Sequence, residues 1–281
     1  MDVGIGLPAA ISGADATGIP SWSTRAEAAG FSSVAVLDRV VYGNVDPLLS
    51  LAAAAAVTQR VRLTTSVLLA PLRRSGVLVG KQAASLQALS GGRLTLGMAV
   101  GGRQDDYEAA GVEHARRGRI LDDMLAEMAT VWAADSLIGP APASGRPELL
   151  LGGNADAALA RAARHGDGWI SGGGGPGLFQ ASADKVRKAW AEAGRADPPR
   201  LVALTYFALG DGAEELARSY LVDYYSFIGP FAEKVAEGAL TSLEKTRGAL
   251  RAFADAGCDE VLMFPCSADP EQVDRLAEVL S

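Results

Sequence analysis

The residues able to do chemistry in this chain fall into short clusters, each following an apolar run: Asp38-Arg39, Ser66-Val67, Gly101-Gly102-Arg103, Gly152-Gly153-Asn154 and Ser171-Gly172-Gly173. As a set they are poor in catalytic groups. No histidine pair, no carboxylates at metal-ligand spacing and no serine beside a histidine occur among them, so metal-dependent and triad hydrolysis lack their machinery. They are rich in glycine and small hydroxyls instead. Such a surface suits a large planar cofactor that brings its own reactivity and asks the protein for shape, backbone N–H groups and a few orienting side chains. The densest cluster lies in residues 89–111, LSGGRLTLGMAVGGRQDDYEAAG. There Leu94, Leu96, Met98 and Val100 alternate with Thr95, Gly97 and Ala99 at the period of a strand, and Gly101-Gly102 let a flat ligand lie against bare backbone. Arg103, Asp105, Asp106, Tyr107 and Glu108 read as a polar loop just past that strand.

Eight apolar runs are available to position these clusters: residues 3–7, 31–37, 61–69, 94–100, 148–151, 168–171, 201–209 and 260–264. Helical segments are expected between and after them, at 22–29, 47–57, 77–89, 116–132, 155–164, 176–193, 213–225, 242–256 and 270–280. The runs are near-continuous rather than alternating, as strands covered on both faces must be. The economical architecture is α/β, a single (β/α)8 barrel domain over residues 1–281, with 139–147 as a surface excursion. An open doubly wound sheet would place a GxGxxG turn after the first strand, and GIGLPAA is not that motif. In a barrel, the strand-exit clusters share one rim.

Composition narrows the partners. A net charge of -7 argues against a nucleic-acid surface, which needs clustered Lys and Arg. The N-terminal MDVGIGLPAAISG lacks a basic n-region, and residues 52–57 are too short to span a bilayer, so a cytoplasmic protein is expected. Cys258 and Cys266 give no disulfide framework and read as small buried hydrophobes. Of the two histidines, His165 precedes Gly166 at a helix C-terminus, where an imidazolium would complement the dipole, and His114 reads as solvent-facing. Tyr107, Tyr206, Tyr224 and Tyr225 read as core aromatics, with a pocket wall as the other option.

The segments AEAAGFSSVAVLDR, RLTTSVLLAPLRRSGVLVGKQAASLQALSGGRLTLGMAVGG, DDYEAAG, LLLGGNADAALARAARHGDGWI and AFADAGCDEVLMFP together resemble the bacterial luciferase-like flavin-dependent oxidoreductases, in the same order and at similar intervals. The resemblance implies a (β/α)8 barrel, a homodimer, and FMN or the deazaflavin coenzyme F420 bound in the barrel mouth with a small-molecule substrate. It implies that Ser66 and Val67 flank the cofactor ring, often across a non-proline cis peptide, and that Gly101 and Gly102 lie along it. Gly152, Gly153, Ser171 and Gly172 match stretches whose backbone amides hold the phosphate in relatives, with a helix N-terminus near residues 154–158 behind them. Arg73, Arg74 and Arg103 would form a basic rim for the acidic tail of a deazaflavin, which favours that coenzyme slightly.

One departure bears on mechanism. Relatives often carry a histidine after the aspartate of the second strand, where it can act as acid or base; here the position is Arg39. A guanidinium anchors an anion or polarises an oxygen but is a poor proton shuttle. Either no side-chain base is needed there, or Asp38, Asp106 or Glu108 substitutes; Asp38 is also read as the cap of a neighbouring turn. The candidate catalytic set is therefore Asp38, Arg39 and Glu108. The implied activities are F420-dependent hydride transfer, FMN-dependent monooxygenation, or none, if this is a non-catalytic paralogue.

Overall fold

The computed structural model describes residues 1–141 and 144–280, so the expected excursion at 139–147 lies partly outside the described residues. Among the described residues, eight parallel strands close into a barrel in sequence order: β1 (Asp2–Gly6), β2 (Ser33–Val36), β3 (Arg62–Leu69), β4 (Leu94–Ala99), β5 (Glu148–Gly152), β6 (Gly168–Ile170), β7 (Arg200–Phe207) and β8 (Glu260–Pro265). β8 returns to pair with β1, with Asp2 opposite Glu260 and Ile5 opposite Met263. The expected (β/α)8 fold is the observed one.

The helices are α1 (Ile19–Ala28), α2 (Pro47–Val57), α3 (Gly76–Leu89), α4 (Gln104–Ala110), α5 (Arg117–Val131), α6 (Asp156–His165), α7 (Gly175–Glu192), α8 (Ala213–Tyr224), α9 (Phe231–Glu237), α10 (Leu243–Asp255) and α11 (Glu271–Ala277). Two of them depart from expectation. Residues 104–110 form a helix rather than a polar loop, with Asp105 and Asp106 in its first turn, where carboxylates complement the dipole, and Gln104 bonded to Glu108 one turn on. Residues 231–237 form a second short helix, for which no expectation was drawn from the sequence.

Alternate residues along each strand face the barrel axis or the helices. Trp22, Trp169, Phe179 and Phe253 fill the layer between strands and helices, while Ala35, Leu150, Ile170, Val202 and Leu262 belong to the interior cluster. At the amino ends of the strands the interior is closed by charge rather than by hydrocarbon. Glu260, 1% exposed, accepts from Arg200 Nη2 at 2.6 Å and Ser33 Oγ at 2.7 Å. Arg200 also bonds Glu148, which accepts from Thr95 Oγ1 at 2.8 Å, and Arg62 lies 3.4 Å from Glu260. This polar plug closes the amino end of the barrel.

The entry to β3 is set by Glu27. Its carboxylate accepts the N–H groups of Gln59 at 3.0 Å, Arg60 at 2.6 Å and Val61 at 3.0 Å. Burial pushes this carboxyl up, but the three N–H bonds and Arg60 prevail and hold it below its ordinary value. A depressed folded-state pKa means that the stabilisation is complete above the ordinary value of 4.5 and is lost as pH falls through the lower, folded-state value. Glu27→Gln is expected to flatten the acid limb of urea-midpoint against pH below about 4.5. An unchanged limb would remove Glu27 from the acid response.

Candidate active site

At the carboxyl ends of β2, β3, β4, β6 and β7 a cleft with about 690 Å³ of empty space, part of it open to solvent, gathers Asp38, Arg39, Ser66, Val67, Gly101, Gly102, Arg103 and Gly172 from strand exits up to 134 positions apart. Two strand irregularities shape its floor. The peptide between Ser66 and Val67 is cis, and the pairing of β3 with β4 shifts register between Thr65 and Leu68. Gly97 makes room for this: a Cβ there would sit 2.1 Å from the Thr65 carbonyl oxygen, and Thr65 Oγ1 donates to Gly97 O at 2.7 Å.

The two acidic groups of the cleft are occupied by the protein itself. Asp38 Oδ1 accepts from Arg73 Nη2 at 2.8 Å and Oδ2 from Leu69 N at 2.9 Å, which matches the turn-capping reading. Burial pushes the Asp38 carboxyl up, against the opposing pull of Arg73 and the Leu69 N–H. Asp106, 1% exposed, accepts from Val40 N at 3.0 Å, Val41 N at 2.6 Å and Arg39 Nε at 2.9 Å. Arg39 is itself buried, donates Nη2 to Val41 O at 3.0 Å, and sits over the rings of Tyr42 and Tyr224 at 5.3 and 5.5 Å. Its Nη1 has no hydrogen-bond partner among the described residues, and neither has Ser66 Oγ.

Aromatic side chains complete the wall. Tyr206 from β7 and Tyr225, just past α8, share a hydroxyl contact of 2.7 Å, and Tyr224 lies edge-on to Tyr42 at 5.2 Å. Burial raises the hydroxyl pKa values of Tyr206, Tyr224 and Tyr225, so all three remain phenols at neutral pH. Phe227 stacks under the Arg103 guanidinium at 4.3 Å, placing the segment after α8 across the mouth.

Several expectations change here. Glu108 is exposed on α4, bonded to Gln104 at 2.8 Å, and does not enter the cleft. Helicity is the reason: with Asp106 and Tyr107 facing inward, Glu108 is turned outward. Gly152, Gly153 and Ser171 stand at the adjoining exits of β5 and β6 and do not line the cleft, although Gly172 does. Gly153 is at φ +120°, and Trp169 Nε1 donates to its carbonyl at 2.9 Å, tying this exit to β6. Two of the three arginines of the expected basic rim are already neutralised: Arg73 pairs with Asp38 and Asp46, and Arg103 with Asp105. Tyr206, Tyr224 and Tyr225 are buried aromatics and cleft walls at once. His114 is half-buried against Tyr107 at 5.0 Å rather than solvent-facing, and His165 is pushed toward its neutral form by burial and Arg164, so it supplies no helix-end cation. Cys258 and Cys266 are buried thiols, and burial raises the Cys258 thiol to about 12.

Among the described residues there is no acidic, histidine or cysteine cluster able to hold a metal, and no helix is long and apolar enough to cross a membrane.

The luciferase-like monooxygenase family model matches residues 1–278. An uncharacterized protein of Mycobacterium tuberculosis (strain ATCC 25618 / H37Rv) is 34% identical over 235 residues, covering 70% of this chain and 80% of the relative. An FMNH(2)-dependent dimethylsulfone monooxygenase of Pseudomonas fluorescens is 26% identical over 193 residues, covering 63% of this chain and 51% of that protein. Among solved structures, an F420-dependent secondary alcohol dehydrogenase in complex with an F420-acetone adduct superposes with a TM-score of 0.82 at 18% identity, covering 99% of this chain and 98% of that one. Monooxygenase RslO1 from Streptomyces bottropensis superposes with a TM-score of 0.79 at 20% identity, covering 100% and 98%.

Proposed function

We propose a function from one premise: the chain belongs to the luciferase-like monooxygenase family. It is read as an oxidoreductase that uses a reduced flavin-type coenzyme, F420 or FMN, on a small organic substrate held in the cleft. The observation that supports this is the commitment of both cleft carboxylates to neighbouring donors, so that neither stands free in the cleft, as suits a site whose reactivity comes from a bound coenzyme.

The residues present fit such a group. Ser66 Oγ is buried without a partner, and Gly102 and Gly172 each have open space where a Cβ would stand. Ser66, Val67, Gly101 and Gly102 would hold the ring system. The backbone of Gly152, Gly153, Ser171 and Gly172, beside the uncapped N-terminus of α6, would hold the phosphate. When bound, the reduced coenzyme supplies a hydride to the substrate, with solvent supplying the accompanying proton. F420 is the preferred reading, supported by the likeness of fold, over 99% of this chain, to the F420-dependent secondary alcohol dehydrogenase; Arg73 and Arg103, already paired, add nothing to it. FMN-dependent monooxygenation is the second reading, favoured by the similarity to the dimethylsulfone monooxygenase.

Gly102 supplies the test. Its φ lies outside the left-handed region and its Cβ position is open, so Gly102→Val fills the berth without backbone strain. Titration of the wild type with F420 and with FMN, read by coenzyme fluorescence, is expected to saturate with F420 the tighter. Gly102→Val is expected to weaken binding at least about tenfold at unchanged thermal midpoint. Binding of neither coenzyme by the wild type would leave the non-catalytic reading.

The assembly is read as a homodimer of single-domain cytoplasmic chains. α2 is apolar on every side and packs beside α3, and Leu49, Leu78 and Leu89 stand exposed along the pair. A helix apolar all round is normally covered, and a second copy would cover it. Light scattering is expected to give twice the chain mass; a monomer at micromolar concentration would refute this. Two buried thiols without a disulfide suit a reducing compartment.

A further inference from the structure

Two side chains of the cleft carry a buried donor without a partner among the described residues, Ser66 and Arg39, and of these only Arg39 is charged. We infer that it is the substrate anchor, and that the substrate is a neutral, planar aromatic carbonyl compound whose oxygen accepts from Arg39 Nη1. The inference deepens the reading above, since it takes the same cleft as the site of reaction.

Three observations lead to it. Nε and Nη2 of Arg39 are fixed by Asp106 at 2.9 Å and Val41 O at 3.0 Å, so the guanidinium cannot turn away, while buried Nη1 has no partner among the described residues. A buried unpaired donor carries a desolvation cost that an acceptor oxygen from a ligand would remove. The charge count then selects a neutral acceptor. The Arg39 guanidinium already has Asp106 as its counter-charge at 2.9 Å, so a carboxylate ligand on Nη1 would give the site a surplus of negative charge. Finally, the surrounding wall is aromatic. Tyr224 and Tyr225 meet edge to face at 5.1 Å, and Tyr225 stacks on Phe227 at 6.1 Å, which presents ring faces and edges to a flat unsaturated frame.

The probe is acetophenone labelled with 13C at the carbonyl, with ethylbenzene and benzoate as comparators. Each is titrated by calorimetry and NMR into the full chain, with and without coenzyme added. Acetophenone is expected to bind at least about tenfold more tightly than either comparator, and its carbonyl resonance to move downfield on binding. Arg39→Met is expected to erase both the preference over ethylbenzene and the shift, and Arg39→Lys to restore part of the shift. Far-UV circular dichroism is the check that both variants fold. Equal binding of acetophenone and ethylbenzene, tighter binding of benzoate, or a downfield shift that survives in folded Arg39→Met would each overturn the inference. Coenzyme binding without a carbonyl shift defeats the inference alone. A carbonyl shift with no coenzyme binding defeats the coenzyme reading and leaves the anchor standing.

Discussion

Asp106→Ala is expected to remove about 3–5 kcal/mol of folding stability, far more than a surface aspartate would, and to disable the cleft at the same time. Its carboxylate serves three buried donors, Val40 N, Val41 N and Arg39 Nε. Truncation strands two backbone N–H groups and leaves a buried guanidinium without its counter-charge, and each of these carries its own penalty. The functional effect follows from the same bonds: with Asp106 gone, only the Val41 carbonyl still holds the Arg39 head over the rings of Tyr42 and Tyr224. Asp106→Asn separates the two effects. The amide oxygen still accepts from Val40 and Val41, so the part of the stability owed to those two N–H groups should return, while the charge that orients Arg39 does not. Urea denaturation of the three proteins is the measurement. A loss below about 1 kcal/mol for Asp106→Ala would show that the contacts carry little net energy.

The second large effect lies at the opposite end of the barrel. Glu260→Ala is expected to cost about 3–5 kcal/mol, because Arg200 and Arg62 would both face a buried space without their shared carboxylate. Replacing the partners as a set, Glu260→Leu with Arg200→Met, is expected to recover much of that loss, since a well-packed apolar substitute avoids the desolvation of both ions. If Glu260→Ala and the double variant are equally unstable, the plug acts through shape rather than charge. The cleft is far from this layer, so ligand affinity at the mouth should be unaffected in both variants.

The barrel was legible in the sequence because its strands are nearly uninterrupted apolar runs, and a strand buried on both faces has no other way to look. The glycine and hydroxyl exits were legible for the same reason: Ser66-Val67, Gly101-Gly102 and Gly172 stand where such runs stop, and the structure brings them to one rim. Helix α4 was not, because seven residues reading QDDYEAA offer too short a stripe to distinguish from a charged loop. Read as a loop, the segment left Glu108 and Asp106 equally able to reach the cleft, whereas the helix turns Asp106 inward and Glu108 outward. The Arg39–Asp106 pair spans 67 positions and the tyrosine wall is carried by a helix that follows the seventh strand. No periodicity encodes such juxtapositions; they depend on how tightly the ring of strands is drawn. The expected basic rim failed for a related reason. Three arginines were visible, but the aspartates that neutralise two of them are partners only after folding.

The seam between the first and last strands has a further implication for how the chain is made. Residues 2–5 pair with residues 260–263, so during synthesis the first strand must wait, with one flank unpaired, until the eighth has left the ribosome. Through that interval the growing sheet presents a bare border able to recruit a neighbouring nascent chain. Yield in a cell should therefore depend on chaperone capacity and translation speed more than on the stability of the finished ring.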